Sequence, residues 1–228
     1  MIRSTLILTL GAALLLTGCS GGTESLSSQA SQLATYRDAF RQDRASRPEL
    51  PPLTPALVDS LPTAALEVVF EDRDATVFSV PYSTRTDRRK GTLRTWRTAD
   101  NAQVVLRDGV LIATRGLGND LGSSRVSSVL ESVETRSAVS GPHNLFVKGF
   151  DNTTTRIDLD CEMQSLGPTT IEIVQKQHAV VHLRENCTGP DLSVTNDYWV
   201  DRSDSTIWQS RQWAGPDLTY LRMRLLKK

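Results

Sequence analysis

The chain has 228 residues, with 26 basic and 26 acidic side chains and a formal net charge of +0. So even a balance argues against nucleic acid as a partner, which calls for a clustered basic excess. The length suits one large domain or two small ones and leaves ample material for an apolar core.

Residues 1–18 carry the parts of an export signal: Arg3, an apolar run from Leu6 to Leu16, then small residues. That run is too short to cross a hydrocarbon layer of roughly 30 Å as a helix, which marks it as a cleaved signal peptide. Leu16-Thr17-Gly18-Cys19 resembles the lipobox of bacterial prolipoproteins. In such precursors the cysteine becomes the first mature residue, its thiol carrying a diacylglycerol and its amine a third acyl chain. Cys19 is therefore expected to be a lipid anchor. Several chains hold stably, because each buried CH₂ is worth roughly 0.8 kcal/mol and one chain alone is marginal. By resemblance to enterobacterial sorting, Ser20 at the next position favours the outer membrane. Loss of residues 1–18 removes Arg3 and leaves about 210 residues with one more acid than base.

Residues 19–50 read as a lipid-anchored tether with a possible amphipathic helix. "SGGTES" (20–25) is a flexible spacer. From Leu26 to Arg47, Leu26, Leu33 and Phe40 recur on a thin helical stripe. Pro48, Pro51, Pro52, Pro55 and Pro62 then forbid a continuous helix or central strand, so residues 51–65 are expected to be an extended linker or strap.

From residue 66 to 228 the pattern is β almost throughout. "LEVVF", "ATVFSV", "TLRTWRT" and "QVVLRDGVLIATRG" read as strands, with "TRTDRRKG" a polar turn and Asp108-Gly109 a strong hairpin signal. Ser123 to Val133 reads as a short helix. Strands follow at "NLFVKGF", "TTRIDLDCEM", "TIEIVQKQHAVVHL", "SVTNDYWV", "STIWQSRQW" and "LTYLRMRLL". In "TTRIDLDCEM", Ile157, Leu159, Cys161 and Met163 share one face, and Arg156, Asp158, Asp160 and Glu162 the other. Leu221, Met223 and Leu225 likewise face in, with Arg222 and Arg224 out. One wet face and short turns define antiparallel meanders. The expected fold is mainly β: an antiparallel meander forming an open or partly closed barrel or sandwich, with a short N-terminal helix.

Cys161 and Cys187 are the cysteines left after Cys19. In an oxidising compartment a lone pair is most simply a disulfide, worth roughly 3–3.5 kcal/mol by loop closure. The rival reading, a metal site, lacks a His or Cys beside either residue at ligand spacing. No metal and no cofactor is assigned.

The sequence holds no Gly-x-Ser-x-Gly elbow, His-Glu-x-x-His or phosphate loop. "RGLGNDLG" (115–122) lacks the third glycine of a dinucleotide fingerprint and reads as a tight turn. His178 and His182, on one face of a predicted strand, stand about 13–14 Å apart, too far to share a metal ion. With Lys176, Arg184 and Glu172 on that face, it reads as solvated. His143 stands alone after a Gly-Pro turn. The turn bearing Arg85, Arg88, Arg89 and Lys90 is either a contact for acidic sugars or lipid phosphates or a solvated loop. Trp199 falls beside Asp197 and Asp201 on the polar side of its strand, as a stacking surface for a sugar, an anchor for a partner, or a cover for a barrel end.

"WRTADNAQVVLRDGVLIATRGLGNDL" (96–121) and "YWVDRSDSTIWQSRQWAGPD" (198–217) resemble the YjbF/GfcB family of group 4 capsule and exopolysaccharide lipoproteins. The order of lipobox, short N-terminal segment, "LTPALVDSLP" and β domain matches too. The resemblance runs from about residue 53 to the C-terminus. It implies an outer-membrane lipoprotein facing the periplasm, working beside components that export or assemble a surface polysaccharide, and it carries over no catalytic residue. The expected role is a non-enzymatic accessory factor that docks onto an outer-membrane β-barrel or other export component, or holds polysaccharide near its exit. The alternative is a periplasmic lipid or lipoprotein carrier, which requires an apolar cavity in an open barrel. An enzyme acting on the polymer would need paired carboxylates about 5–10 Å apart, and Asp197 and Asp201 are separated by about 13–14 Å along one strand.

Overall fold

A computed structural model describes residues 52–149, 151 and 153–228. The signal peptide, Cys19 and the helix expected over 26–47 lie outside the described residues. The first element is a helix inside the proline-rich segment, α1 (Pro55–Ser60). Pro55 sits in its first turn, where no backbone donor is required, and Thr54 Oγ1 accepts the Leu57 amide as its cap.

Strands β1 (Ala65–Phe70), β2 (Ala75–Thr86), β3 (Thr92–Thr98), β4 (Gln103–Arg107), β5 (Val110–Arg115) and β6 (Leu121–Arg125) follow. After α2 (Ser127–Thr135) come β7 (Gly141–Lys148), β8 (Thr154–Ile173) and β9 (Lys176–Thr188). The chain closes with β10 (Ser193–Asp201), β11 (Ile207–Gly215) and β12 (Thr219–Lys227). All twelve form one sheet in the order β5-β4-β3-β2-β1-β12-β11-β10-β9-β8-β7-β6. Each hydrogen-bonded pair is antiparallel, and only β1–β12 joins strands that are not neighbours in sequence. The sheet curls on itself into a nearly closed barrel. Inward side chains from strands far apart in the order, among them Val68, Leu111, Leu121, Leu145 and Met223, meet in one buried cluster. Gln212 of β11 reaches across to the start of β5, accepting from the Leu111 amide at 2.8 Å and donating to the Gly109 carbonyl at 3.0 Å.

Helix α2 packs Val129 and Val133 against Val110, Met163, Leu183, Tyr198 and Ile207, a second apolar cluster drawn from β5 and from β8 to β11. A third lies on the outer face, where Val58 of α1 meets Ala65, Ile173 and Leu226.

Asp108-Gly109 forms the expected tight hairpin, with φ of 46° and 87°. Ile207 atoms would lie 2.9 Å from a Cβ at Gly109, so both conformation and space require glycine there. Two local readings are corrected. "TIEIVQKQHAVVHL" is a hairpin rather than one strand: β8 ends at Ile173, and Val174 and Gln175 turn the chain with φ of 48° and 59°. No Gly or Asn marks that turn, so periodicity ran straight through it. The predicted Ser123–Val133 helix starts only at Ser127, because Ser123 to Arg125 pair with β7 as β6. Cys161 and Cys187 are directly opposed across β8 and β9 and are bonded, so neither is free for other chemistry.

The two edge strands, β5 and β6, face each other across the seam and are joined by side chains. Thr114 Oγ1 donates to Asp120 Oδ1 (2.7 Å) and accepts from the Leu121 amide (3.0 Å). The Gly116 amide donates to Asp120 Oδ2 (2.8 Å), and Arg115 reaches the carbonyls of Leu121 and Gly122 (both 3.3 Å). Asp120→Ala strands the buried Thr114 hydroxyl and removes the carboxylate that the exposed Gly116 amide donates to. It should lower unfolding free energy by about 2–3 kcal/mol, read by urea denaturation. An effect below about 0.5 kcal/mol would mean the seam is held by packing alone.

Candidate functional site

Two polar constellations lie on opposite faces of the sheet. The inner one is a belt between the two apolar clusters. His143 on β7 donates from Nδ1 to Glu185 Oε1 on β9 (3.1 Å), and its Nε2 pairs with Ser124 Oγ on β6 (2.8 Å). Glu185 Oε2 accepts from Asn196 Nδ2 (2.8 Å) and from the Tyr198 hydroxyl (3.2 Å), both on β10. Asn196 Oδ1 in turn accepts the Trp213 amide of β11 at 2.7 Å. Glu185 is 1% exposed and Tyr198 0%. Burial raises the Glu185 pKa, but hydrogen bonds from His143, Asn196 and Tyr198 and the field of His143 outweigh it, leaving the carboxyl below the ordinary glutamate range. The same burial, with the Glu185 charge, pushes Tyr198 well up, so its phenol stays a donor.

Ligand atoms of His143, Cys161, Glu185 and Cys187 lie within 4.8 Å of one another. The disulfide takes both thiolates out of that set, which leaves one imidazole and one carboxylate already paired together. Sequence reasoning left His143 alone. Its partners sit on strands that only the register brings alongside.

The outer constellation runs across β9, β10 and β11. Tyr198 and Val200 point inward, which turns Trp199 out, half-buried. The Trp199 ring stacks on His182, with centroids 4.5 Å apart and planes inclined by 13°. His182 Nε2 and Arg184 Nε both donate to Asp197 Oδ1, at 2.7 and 2.9 Å. Arg211, the cross-strand partner of Asp197, makes a two-pronged pair with Glu71 and lies 3.4 Å from the Tyr220 ring centroid. Further along, Trp208 packs on His178 (4.0 Å) and donates its indole N–H to Asp201 at 2.7 Å. Burial lowers the His178 pKa, with Asp201 opposing. Asp201 is itself held far below the usual carboxylate range: burial works against this, and donors from Ser203, Trp208 and Asp204 override it.

The face predicted to be solvated is thus a ribbon of one stacked and one tilted Trp–His pair, edged by carboxylates and arginines. The pairing of β9 with β10 sets His182 opposite Trp199, a relation invisible along either strand alone. Arg88 and Arg89 lie elsewhere, in the β2–β3 turn, separated from β10 in the sheet by β1, β12 and β11. Arg88 is exposed, while Arg89 borders a cleft against α2 with Lys90, Arg107 and Arg125. The structure does not bring the basic turn and Trp199 together.

Twelve antiparallel strands curled into a nearly closed barrel, with an aromatic and charged ribbon on the outer face, define the class of β domain. The family described as "Group 4 capsule polysaccharide lipoprotein gfcB, YjbF" matches residues 34–226, and the chain belongs to it. Among solved structures, the crystal structure of the hypothetical lipoprotein YmcC from Escherichia coli (K12) is similar, with a TM-score of 0.66 at 20% identity. The match covers 85% of this chain and 94% of that one and establishes a shared fold. No curated protein matches. Among the described residues, no helix is long and apolar enough to cross a membrane.

The lowered pKa of Glu185 gives a signed prediction. Its stabilisation is present above the ordinary glutamate value of about 4.3 and is lost as pH falls through the lower folded value. Glu185→Gln should cost about 2 kcal/mol or more at pH 7 and flatten the acid limb of the stability–pH curve. Parallel acid limbs in urea titrations of wild type and variant would show that Glu185 does not carry that dependence.

Proposed function

We propose that the protein is an outer-membrane lipoprotein, tethered through Cys19 and facing the periplasm, that serves surface-polysaccharide export or assembly as an accessory factor without catalysing a reaction. Family membership supports the polysaccharide setting. The observation that carries the mechanism is the outer ribbon. The Trp199 ring, stacked on His182 with the Asp197–Arg184 pair and Arg211 beside it, offers an apolar face next to charged hydrogen-bonding groups. Sugar rings present the same combination, a C–H face with hydroxyls at its rim. The sheet holds the platform rigid, which lowers the ordering cost of binding. A polymer segment laid across β9–β11 is retained near the exit and passed to the export component that the tethered domain meets at the membrane.

The first test is co-purification of the cell's own surface polysaccharide, and of outer-membrane barrels, with the full lipoprotein and with Trp199→Ala. Wild type should retain the polymer. The variant should retain about tenfold less, the order expected for one lost aromatic anchor, with its melting temperature nearly unchanged. Equal retention, or a large fall in stability, overturns the role of Trp199. Separately, Cys19→Ala should move the chain from the membrane to the soluble fraction, as read by cell fractionation and immunoblotting.

A further inference from the structure

The barrel interior is not filled throughout. At the end marked by the Asp108-Gly109 turn and residues 204–207, a half-open recess of about 550 Å³ runs inward. Its walls are Leu66, Trp96, Leu106, Met223 and Leu225, contributed by β1, β3, β4 and β12. Such a volume is within the usual range for a small-molecule site, roughly 300–1,000 Å³. A well-packed core leaves few voids of this size.

The charges at the mouth are unequal in their engagements. Asp108 Oδ1 accepts the Thr92 amide at 2.9 Å. Asp204 accepts from Lys228 and from the Thr206 amide, both at 2.8 Å. Arg94 shares the inward face of β3 with Trp96 and lies 5.5 Å from its ring centroid. Among the described residues its guanidinium has no carboxylate partner and no hydrogen bond, although it borders the recess. A guanidinium with five donors and no acceptor, above an apolar well, is half of a recognition site.

We propose that this recess binds a single-chain anionic amphiphile. The acyl tail lies against Leu66, Leu106 and Met223, and Arg94 holds the acidic head. Carboxylate and phosphate heads share the required chemistry, since both accept two N–H bonds from one guanidinium. The Trp96 ring beneath Arg94 separates head from tail. The site lies inside the barrel and the Trp199 ribbon outside it, so either can fail without the other.

The test is photo-crosslinking on the full lipoprotein in isolated membranes, with a diazirine-bearing palmitate, its methyl ester, and a diazirine lysophosphatidic acid. Adducts mapped by mass spectrometry should fall on peptides containing Leu106 or Met223. Neutralising the head as the methyl ester should cut the yield about tenfold, as one charge-assisted contact in a recess predicts, and Arg94→Gln should do the same with the free acid. The stronger of the palmitate and lysophosphatidic acid signals identifies the head that is carried. Adducts confined to other peptides, or equal yields from acid and ester, overturn the proposal. The ester comparison holds even where Arg94→Gln fails to fold.

Discussion

The buried carboxylate of Glu185 is the constraint around which this barrel is arranged. A charge taken out of water is destabilising unless every lone pair is matched, and the matches here come from different strands. His143 brings β7, Ser124 behind it brings β6, and Asn196 and Tyr198 bring β10, with β11 attached through the Trp213 amide. A shift of any one strand by one residue would turn its polar group to the outer face and leave Glu185 unpaired. Hydrophobic alternation alone tolerates slips of two residues. The belt does not, and in that sense it sets the register of the half of the sheet that carries the outer ribbon.

The order of the strands solves a second problem. An open sheet exposes two edges ready to pair with other chains. Here β1 and β12 are interior neighbours, so the edges fall on β5 and β6, consecutive in sequence and turned toward one another. Their backbones do not pair. Thr114, Arg115 and Asp120 stand in for the missing ladder. The seam is therefore closed by chemistry specific to those side chains, while α2, which follows β6 directly, packs one face against the apolar cluster beside it.

Much of this was legible in the sequence because it is local. Period-two alternation marked the inward faces of β8 and β12, and Asp108-Gly109 marked a hairpin that needs positive φ at both positions. An isolated cysteine pair marked the link between β8 and β9. Where the chemistry is non-local, the sequence was silent. The Val174–Gln175 turn carries no turn residue and is imposed by the packing of Ile171, Ile173 and Val174 onto the outer cluster around α1. Trp199 could be placed on an outer face, but its stack on His182 depends on cross-strand register. The partners of His143 span the interior, where no spacing rule reaches.

The pairing of β1 with β12 also bears on how such a chain reaches its destination. Phe70 lies opposite Leu221, so that ladder closes a loop of about 150 residues, a slow, late event in a fold rich in distant pairings. Until the last strand is available, β1 lacks one neighbour and the inward faces around it lack a wall. A chain threaded through a translocon from its N-terminal end thus has no complete sheet to form before nearly all of it has crossed. The topology itself defers completion of the sheet until nearly the whole chain is available.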